Sequence, residues 1–344
     1  MLEDRRPDLQ DNKESLRTHL RKASDFLAKC QIVAPYVAKG TLHGCVCPWE
    51  IGESADEGAF PILEDFHDTL EAVWVWSLHT KVSGDTAYWQ RANWAIQYAI
   101  KNCERFIGEN RKIGKSLYDC SHVLFSGTLF SSISNIERFS RYFIIAGDHL
   151  SKYLRSLKTT DGREYHDPFW MAHCLGLAAK GLRQKEWHDV AETFVKSTIV
   201  DKKEPFTKID EEPDHLGPGG HDFFSKNANM ALALISCSDD RKETNRILMK
   251  KLLPLIPKSF VSRKVDENAW NAHLAATLGK SYLLTGSDLF LRSYLTIVDE
   301  LQARDQGKWA ALPRSPSFGR RESWVTFFYA RARASTSKSL SKWV

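Results

Sequence analysis

Residues 69–102 read TLEAVWVWSLHTKVSGDTAYWQRANWAIQYAIKN, and this stretch decides the fold. Its first ten residues, Thr69–Leu78, are apolar on nearly every side of a helical wheel. A helix of that kind must be buried all round. Gly84-Asp85 then breaks it. The following helix keeps Trp89, Ala92, Ile96, Ala99, Cys103 and Ile107 on one stripe and Gln90, Asn93, Gln97 and Lys101 elsewhere. It has a wet face. A buried helix followed by a half-buried one is a hairpin whose first member needs cover from outside the hairpin.

The pattern recurs along the chain. Ser131–Ala146 is apolar-rich and stops at Gly147-Asp148, with His149–Leu157 after it. Phe169–Leu182 precedes the amphipathic Trp187–Ile199, and Phe223–Ser236 precedes Thr244–Leu255. Trp270–Leu284 stops at Thr285-Gly286 and leads into a stripe of Leu291, Tyr294, Val298 and Leu301. Ser323–Ala334 closes the series. A helix at about 15–38, striped by Leu16, Leu20, Ala23, Leu27 and Cys30, supplies a sixth outer member and closes the ring. Such repeats bury their inner helices only by stacking on neighbours. The fold class expected is all-α, an (α/α)6 toroid of six hairpins, with residues 1–344 as one domain and 335–344 as a solvated tail. No Asn-Gly hairpin signal with flanking alternation occurs.

An internal repeat sharpens this. Asp167, Trp170, Ala172 and His173 align with Glu267, Trp270, Ala272 and His273, a hundred residues on, and Lys180 aligns with Lys280. Two hairpins of about fifty residues each account for the separation. Matching the Gly84 and Gly286 breaks sets Asp65 opposite Glu267.

The unit "apolar helix, Ser/Thr-Gly turn, amphipathic helix", seen at 74–102 and in LGKSYLLTGSDLFLRSYLTIVDEL at 278–301, resembles the six-hairpin glycosidase family of (α/α)6 barrels. The resemblance spans about residues 15–335. It speaks to architecture; the same toroid serves glycoside hydrolases, sugar epimerases, polysaccharide lyases, terpenoid cyclases and lanthionine cyclases. It implies a pocket at one mouth, lined by the N-terminal starts of the inner helices.

The 344 residues carry 48 basic and 43 acidic side chains, a net +5, too even a mixture to argue for nucleic acid. No apolar run reaches 18 residues, so no membrane span is expected. The chain opens MLEDRRPDLQDNKESLR, without a secretory h-region. Seven Cys, mostly scattered singly, read as reduced thiols of a cytoplasmic protein. No P-loop, G-x-G-x-x-G, G-x-S-x-G or H-E-x-x-H motif is present, so no cofactor is expected. His43, Cys45 and Cys47 have the donor types for zinc. Three ligands within five residues rarely fit one tetrahedron, so the expectation is no metal.

The inner-helix starts are acidic: Glu64-Asp65 and His67-Asp68, Tyr165-His166-Asp167, His221-Asp222, Asp266-Glu267 and Arg321-Glu322. Acids favour helix N-termini simply by capping. As a set around one mouth they crowd, which pushes one carboxyl pKa up and leaves another ionised. Glycoside cleavage needs such a pair. Asp65, Asp68, Asp167, Asp222 and Glu267 are therefore the acid/base candidates. Trp74, Trp170, Trp270 and Trp324 are candidates for stacking a sugar face, with Glu322, His173 and His273 as further substrate contacts. The expected function is a carbohydrate-active enzyme, a glycoside hydrolase, on a small-molecule or oligosaccharide substrate. A terpenoid cyclase using the same rings on a carbocation, a sugar epimerase using His173 and His273, and a non-catalytic toroid with a filled centre are the alternatives. The segments 108–127 and 201–220 read as loops over the mouth.

Overall fold

A computed structural model describes residues 13–33, 42–51, 64–107, 113–134, 139–157, 168–203, 205–206, 218–256, 268–306, 308–313 and 320–344. These hold twelve α-helices: α1 (Lys13–Cys30), α2 (Phe66–Ser83), α3 (Trp89–Ile107), α4 (Ile113–Ser131), α5 (Ser140–Ser156), α6 (Pro168–Leu182), α7 (Lys185–Val195), α8 (Pro218–Cys237), α9 (Arg241–Ile247), α10 (Asn268–Thr285), α11 (Asp288–Asp305) and α12 (Ser323–Ala334). The even-numbered helices form an inner ring. Each packs on the next, and α12 packs back on α2. The odd-numbered helices lie outside, and α1 packs on both α2 and α12. The architecture is the (α/α)6 toroid.

The local chemistry of α2 shows why the ring forms. Asp65 caps its N-terminus by accepting from the Asp68 N–H at 3.1 Å. Gly84, at φ +73°, ends it and donates to Thr80 O. Gly286 ends α10 in the same way, at φ +68°. Between the caps of α2, every residue from Thr69 to Leu78 is buried. In α3 the buried set is one face: Ala92, Ala95, Ile96, Ala99 and Cys103 among others.

Three expectations need correction. The second hairpin is shifted. Of the segment 108–127, expected as loop, the part from Ile113 on belongs to the inner helix α4, and Gly147-Asp148, expected to end the helix Ser131–Ala146, is the middle of the outer helix α5. Gly147 serves close packing: a Cβ there would lie 2.2 Å from the Trp187 ring. The N-terminal helix ends at Cys30, where Gln31 turns into a bridge with Val46. Residues 335–344 are not a solvated tail. Ser335, Leu340 and Val344 are buried, Trp74 donates its indole N–H to Trp343 O at 3.0 Å, and Lys280 donates to Val344 O at 2.5 Å.

The His43–Cys47 segment is a clamp. Val46 bridges Gln31 on one side and Asp65 on the other, tying the end of α1 to the start of α2. Gly44, at φ +93°, rests on the α3 backbone, where a Cβ would meet Trp94 O at 2.1 Å. His43 packs its ring on Trp94, and Thr69 and the Asp65 carbonyl surround the Cys45 thiol. Cys45, His43 and Cys47 do not converge on one point among the described residues. All seven Cys are buried, and none is in a disulfide.

Candidate active site

The starts of α2, α6, α10 and α12 share one face of the ring. Ser323, first residue of α12, donates its hydroxyl to Asp68 Oδ2 near the start of α2. Trp270 in the first turn of α10 meets Trp324 of α12 with ring centroids 6.4 Å apart. Trp170 in the first turn of α6 meets His273 of α10 at 5.8 Å.

The most crowded sector lies between α2 and α4. His67 stands among three carboxylates. Its Nδ1 is 3.0 Å from Asp65 Oδ1 and 3.7 Å from Asp119 Oδ1, and its Nε2 is 3.4 Å from Asp68 Oδ1. His67 and Asp65 are about a quarter exposed, while Asp68 and Asp119 are buried. Burial alone would discharge the imidazole, but Asp119 and Asp65 outweigh it and hold its pKa well above the ordinary value. Burial, and then the Asp65 charge, push the Asp68 carboxyl up to about 7. Three residues on, burial and the Asp68 charge raise the Glu71 carboxyl as well. The ligand atoms of Asp65, His67 and Asp68 lie within 4.8 Å of one another, a spacing compatible with a cation. A second such group, His188, Glu192 and Asp239, has Lys180 only 3.6 Å from Asp239.

A second layer lies deeper. His122 of α4 is fully buried and neutral, its pKa lowered by burial, with Nε2 3.6 Å from Glu71. His173 is also neutral through burial; its Nδ1 pairs with Ser236 Oγ at 3.0 Å, and among the described residues its Nε2 has no hydrogen-bond partner. His273 has both nitrogens engaged. Arg331 Nη1 donates to Nδ1 at 3.2 Å, which leaves the ring proton on Nε2 facing Asn229 Oδ1 at 2.7 Å. Arg331, wholly buried on α12, lies 4.9 Å from the Phe125 and Trp170 rings and 5.5 Å and 5.7 Å from those of Phe327 and Phe328.

The sequence-based candidates divide accordingly. Asp65, Asp68, Trp170, Trp270, Glu322 and Trp324 lie at the starts of α2, α6, α10 and α12, and Trp324 Nε1 donates to Glu322. His173 and His273 sit one turn below Trp170 and Trp270. Trp74 is elsewhere: it has no exposure, packs on Phe125 and Phe327, and spends its N–H on the C-terminal segment. Asp167 and Glu267 lie outside the described residues; Asp222 falls in the first turn of α8, its side chain outside the description. Sequence reasoning missed Glu71 and Arg331 and put Asp119 and His122 in a loop. Glu71 and Arg331 did carry a signal: each is a charge inside an otherwise apolar or aromatic helical run, a position that charges rarely occupy without cause.

No protein-family model and no curated protein matches the sequence. Solved structures match in fold. The chain superimposes on an α-1,6-mannanase from Salegentibacter sp. HEL1_6 with a TM-score of 0.59 and 9% identity, covering 94% of this chain and 99% of that one. It superimposes on the cellobiose 2-epimerase of Spirochaeta thermophila DSM 6192 with a TM-score of 0.60 and 14% identity, covering 98% of each chain. For an unsaturated glucuronyl hydrolase specific for heparin the TM-score is 0.57 and the identity 12%, over 97% and 98% of the two chains. These are likenesses of fold, over nearly the whole length of each molecule.

Proposed function

We propose that this chain is a carbohydrate-active enzyme, a glycoside hydrolase in which Asp68 is the general acid. One observation carries the reading: a buried carboxyl at the start of α2, pushed up to about 7 by burial, beside Asp65, which is about a quarter exposed. Such a group holds a proton at neutral pH and can give it to a leaving oxygen. The opposing carboxylate must flank the scissile bond from another helix. Asp167, Asp222 and Glu267 are our candidates for that base. Trp170, Trp270 and Trp324 are the proposed stacking wall. Polar and charged groups crowd this mouth, which suits a hydroxylated substrate better than the hydrocarbon of a terpenoid cyclase. The known fold relatives act on saccharides by their own descriptions, an agreement in kind. Among the described residues no helix is long and apolar enough to cross a membrane.

The test is a panel of α- and β-linked oligosaccharides, neutral and uronate-containing, read by release of reducing ends. Asp68→Asn should lower kcat on the order of 10²–10⁴-fold while leaving the helix content of the protein intact. Turnover by Asp68→Asn at the wild-type rate would remove Asp68 from the acid role.

Epimerisation is the second reading, and two residues favour it. His122 and His173 are buried neutral imidazoles on neighbouring inner helices, and His173 Nε2 is unpartnered. His273 is the weaker member of the histidine pair expected from the repeat, because both its nitrogens are committed. Incubation of the same panel in D2O separates the two. Solvent deuterium at a sugar carbon, with no new reducing end, would assign an epimerase.

A further inference from the structure

The segments that lead into α12 carry a group of charges that neither the acid nor the stacking wall uses. Residues 308–313 and 320–322 lie side by side: Pro313 bridges Arg321, and Glu322 donates its N–H to Leu312 O at 3.2 Å. Ser323 donates its N–H to Pro48 O at 2.9 Å, and Asn268 Nδ2 donates to Pro313 O at 2.7 Å. These bonds set the two segments between the 42–51 clamp and the start of α10, beside the Trp270–Trp324 pair.

Trp309 is the hub of this rim. Three cations lie over its ring: Arg321 at 4.5 Å from the centroid, Lys29 at 4.9 Å and Lys308 at 5.3 Å. Nearby, Arg320 lies 5.3 Å from the centre of the Trp49 ring. An aromatic face attracts cations through its quadrupole and leaves their N–H groups free to bond elsewhere. The Trp309 face is thus spent on gathering charge and is not open to a sugar. The local acids do not cancel that charge. Lys29 and Arg321 share a single carboxylate, Glu50, at 2.7 Å and 4.0 Å, and Glu50 is itself buried. Asp305 spends its two oxygens on the Trp309 and Ala310 N–H groups. Lys29 and Lys308 are exposed and Arg321 is partly so, which leaves a net positive rim that solvent and ligands can reach.

We propose that this rim is a carboxylate-binding subsite, so that the substrate is a uronate-containing saccharide chain. One uronate would sit against Arg321 and Lys308 while its neighbours reach Trp324 and Trp270. The inference rests on the carbohydrate reading above and names its substrate class. A planar carboxylate meets the edge of a stacked guanidinium in its own plane, with two parallel N–H···O bonds. Charge at the rim of a cleft also draws an anionic chain towards it.

The experiment uses the full chain with galacturonate and glucuronate-containing hexasaccharides. Their methyl esters serve as controls that keep the backbone and lose the charge. Calorimetry in low salt should show at least one acid form bound about tenfold or more tighter than its ester, an advantage that shrinks as salt screens it. Arg321→Gln should cut that advantage by about fivefold or more. Lys308→Glu alters an exposed side chain, should cut it by about threefold or more, and decides the matter if Arg321→Gln does not fold. Acid and ester bound equally in the wild type, or an advantage that survives both substitutions, overturns the proposal. So does equally tight binding of a sulfated hexasaccharide or of an oligonucleotide of the same charge, which would mark a general polyanion patch. If neutral saccharides are turned over and uronates gain nothing, only the subsite falls and the enzyme reading stands. If uronates bind as expected and no saccharide reacts, the subsite stands and the hydrolase reading falls. If no saccharide of either kind binds or reacts, both fall.

Discussion

The Ser323 hydroxyl donates to Asp68 across 255 residues of sequence, joining the last inner helix to the first at the point where the ring closes. The same bond fixes one oxygen of the proposed acid. Closure of the fold and construction of the site are therefore one event.

Asp68 should set the alkaline limb of the pH–rate profile. Its protonated form is the active one, so kcat should fall as pH rises through about 7. Stability gives an independent reading. The folded pKa, about 7, lies above the ordinary 3.8, so between these values the native state holds a proton that the unfolded state has released. The stability contributed by this group is lost as pH rises across that window. Asp68→Asn should remove that part of the pH dependence and cost on the order of 10²–10⁴ in kcat. Paired urea titrations at pH 4.5 and 7.5 and a rate profile check both.

Lys280 should act with the opposite slope. It is buried, and burial followed by the Arg331 charge lowers its pKa from 10.5 to about 7. Between these values the unfolded state binds the proton and the native state does not, so stability should rise with pH from about 7 to 10.5. Lys280→Met should flatten the wild-type rise, as followed by the thermal midpoint in that range. A midpoint in the variant that still climbs in parallel with wild type would show that another group is responsible.

Gly147→Ala should destabilise by about 1–3 kcal/mol, because the new methyl lands on the Trp187 ring. Gly84→Ala meets no neighbouring atom and should lose only the left-handed cap, about 1 kcal/mol. Urea midpoints of the two variants measure the difference.

Arg331 should tolerate an apolar replacement of its own size better than truncation. Its guanidinium is surrounded by four aromatic rings, and among the described residues its Nε and Nη2 have no hydrogen-bond partner. Arg331→Met keeps the volume, removes a buried charge and frees only His273 Nδ1; its stability should stay within about 2 kcal/mol of wild type. Arg331→Ala opens a cavity and should cost about 3–5 kcal/mol. Equal losses in the two variants would show that the charge, and not the packing, holds α12 in place.

What was legible in the sequence follows from burial. Thr69–Leu78 has no polar face, so it could only be an inner helix. Trp89–Ile107 has one, so it could only be outer. That contrast, repeated, determined the toroid. It failed at 113–131, because Gly114, Ser116, Ser121, Ser126 and Gly127 make an inner helix of small polar residues whose periodicity is faint. Gly127 is needed there because the Phe143 and Phe139 rings press on it, and those rings lie on α5 and at its N-cap, away from α4 in sequence. The acids at the helix starts were visible one by one. Their meaning was not, because a pKa depends on distance through space. Asp68 is raised by burial under a ring that closes only when α12 meets α2, and His67 is charged by Asp119, 52 residues away on α4. Lys180 and Lys280 look equivalent in the repeat; the tertiary structure sets one beside Asp239 and buries the other against Val344. The sequence by itself determined which faces avoid water; only the folded ring decided which charges face one another, since Coulomb interactions and desolvation depend on separation in space and not along the chain.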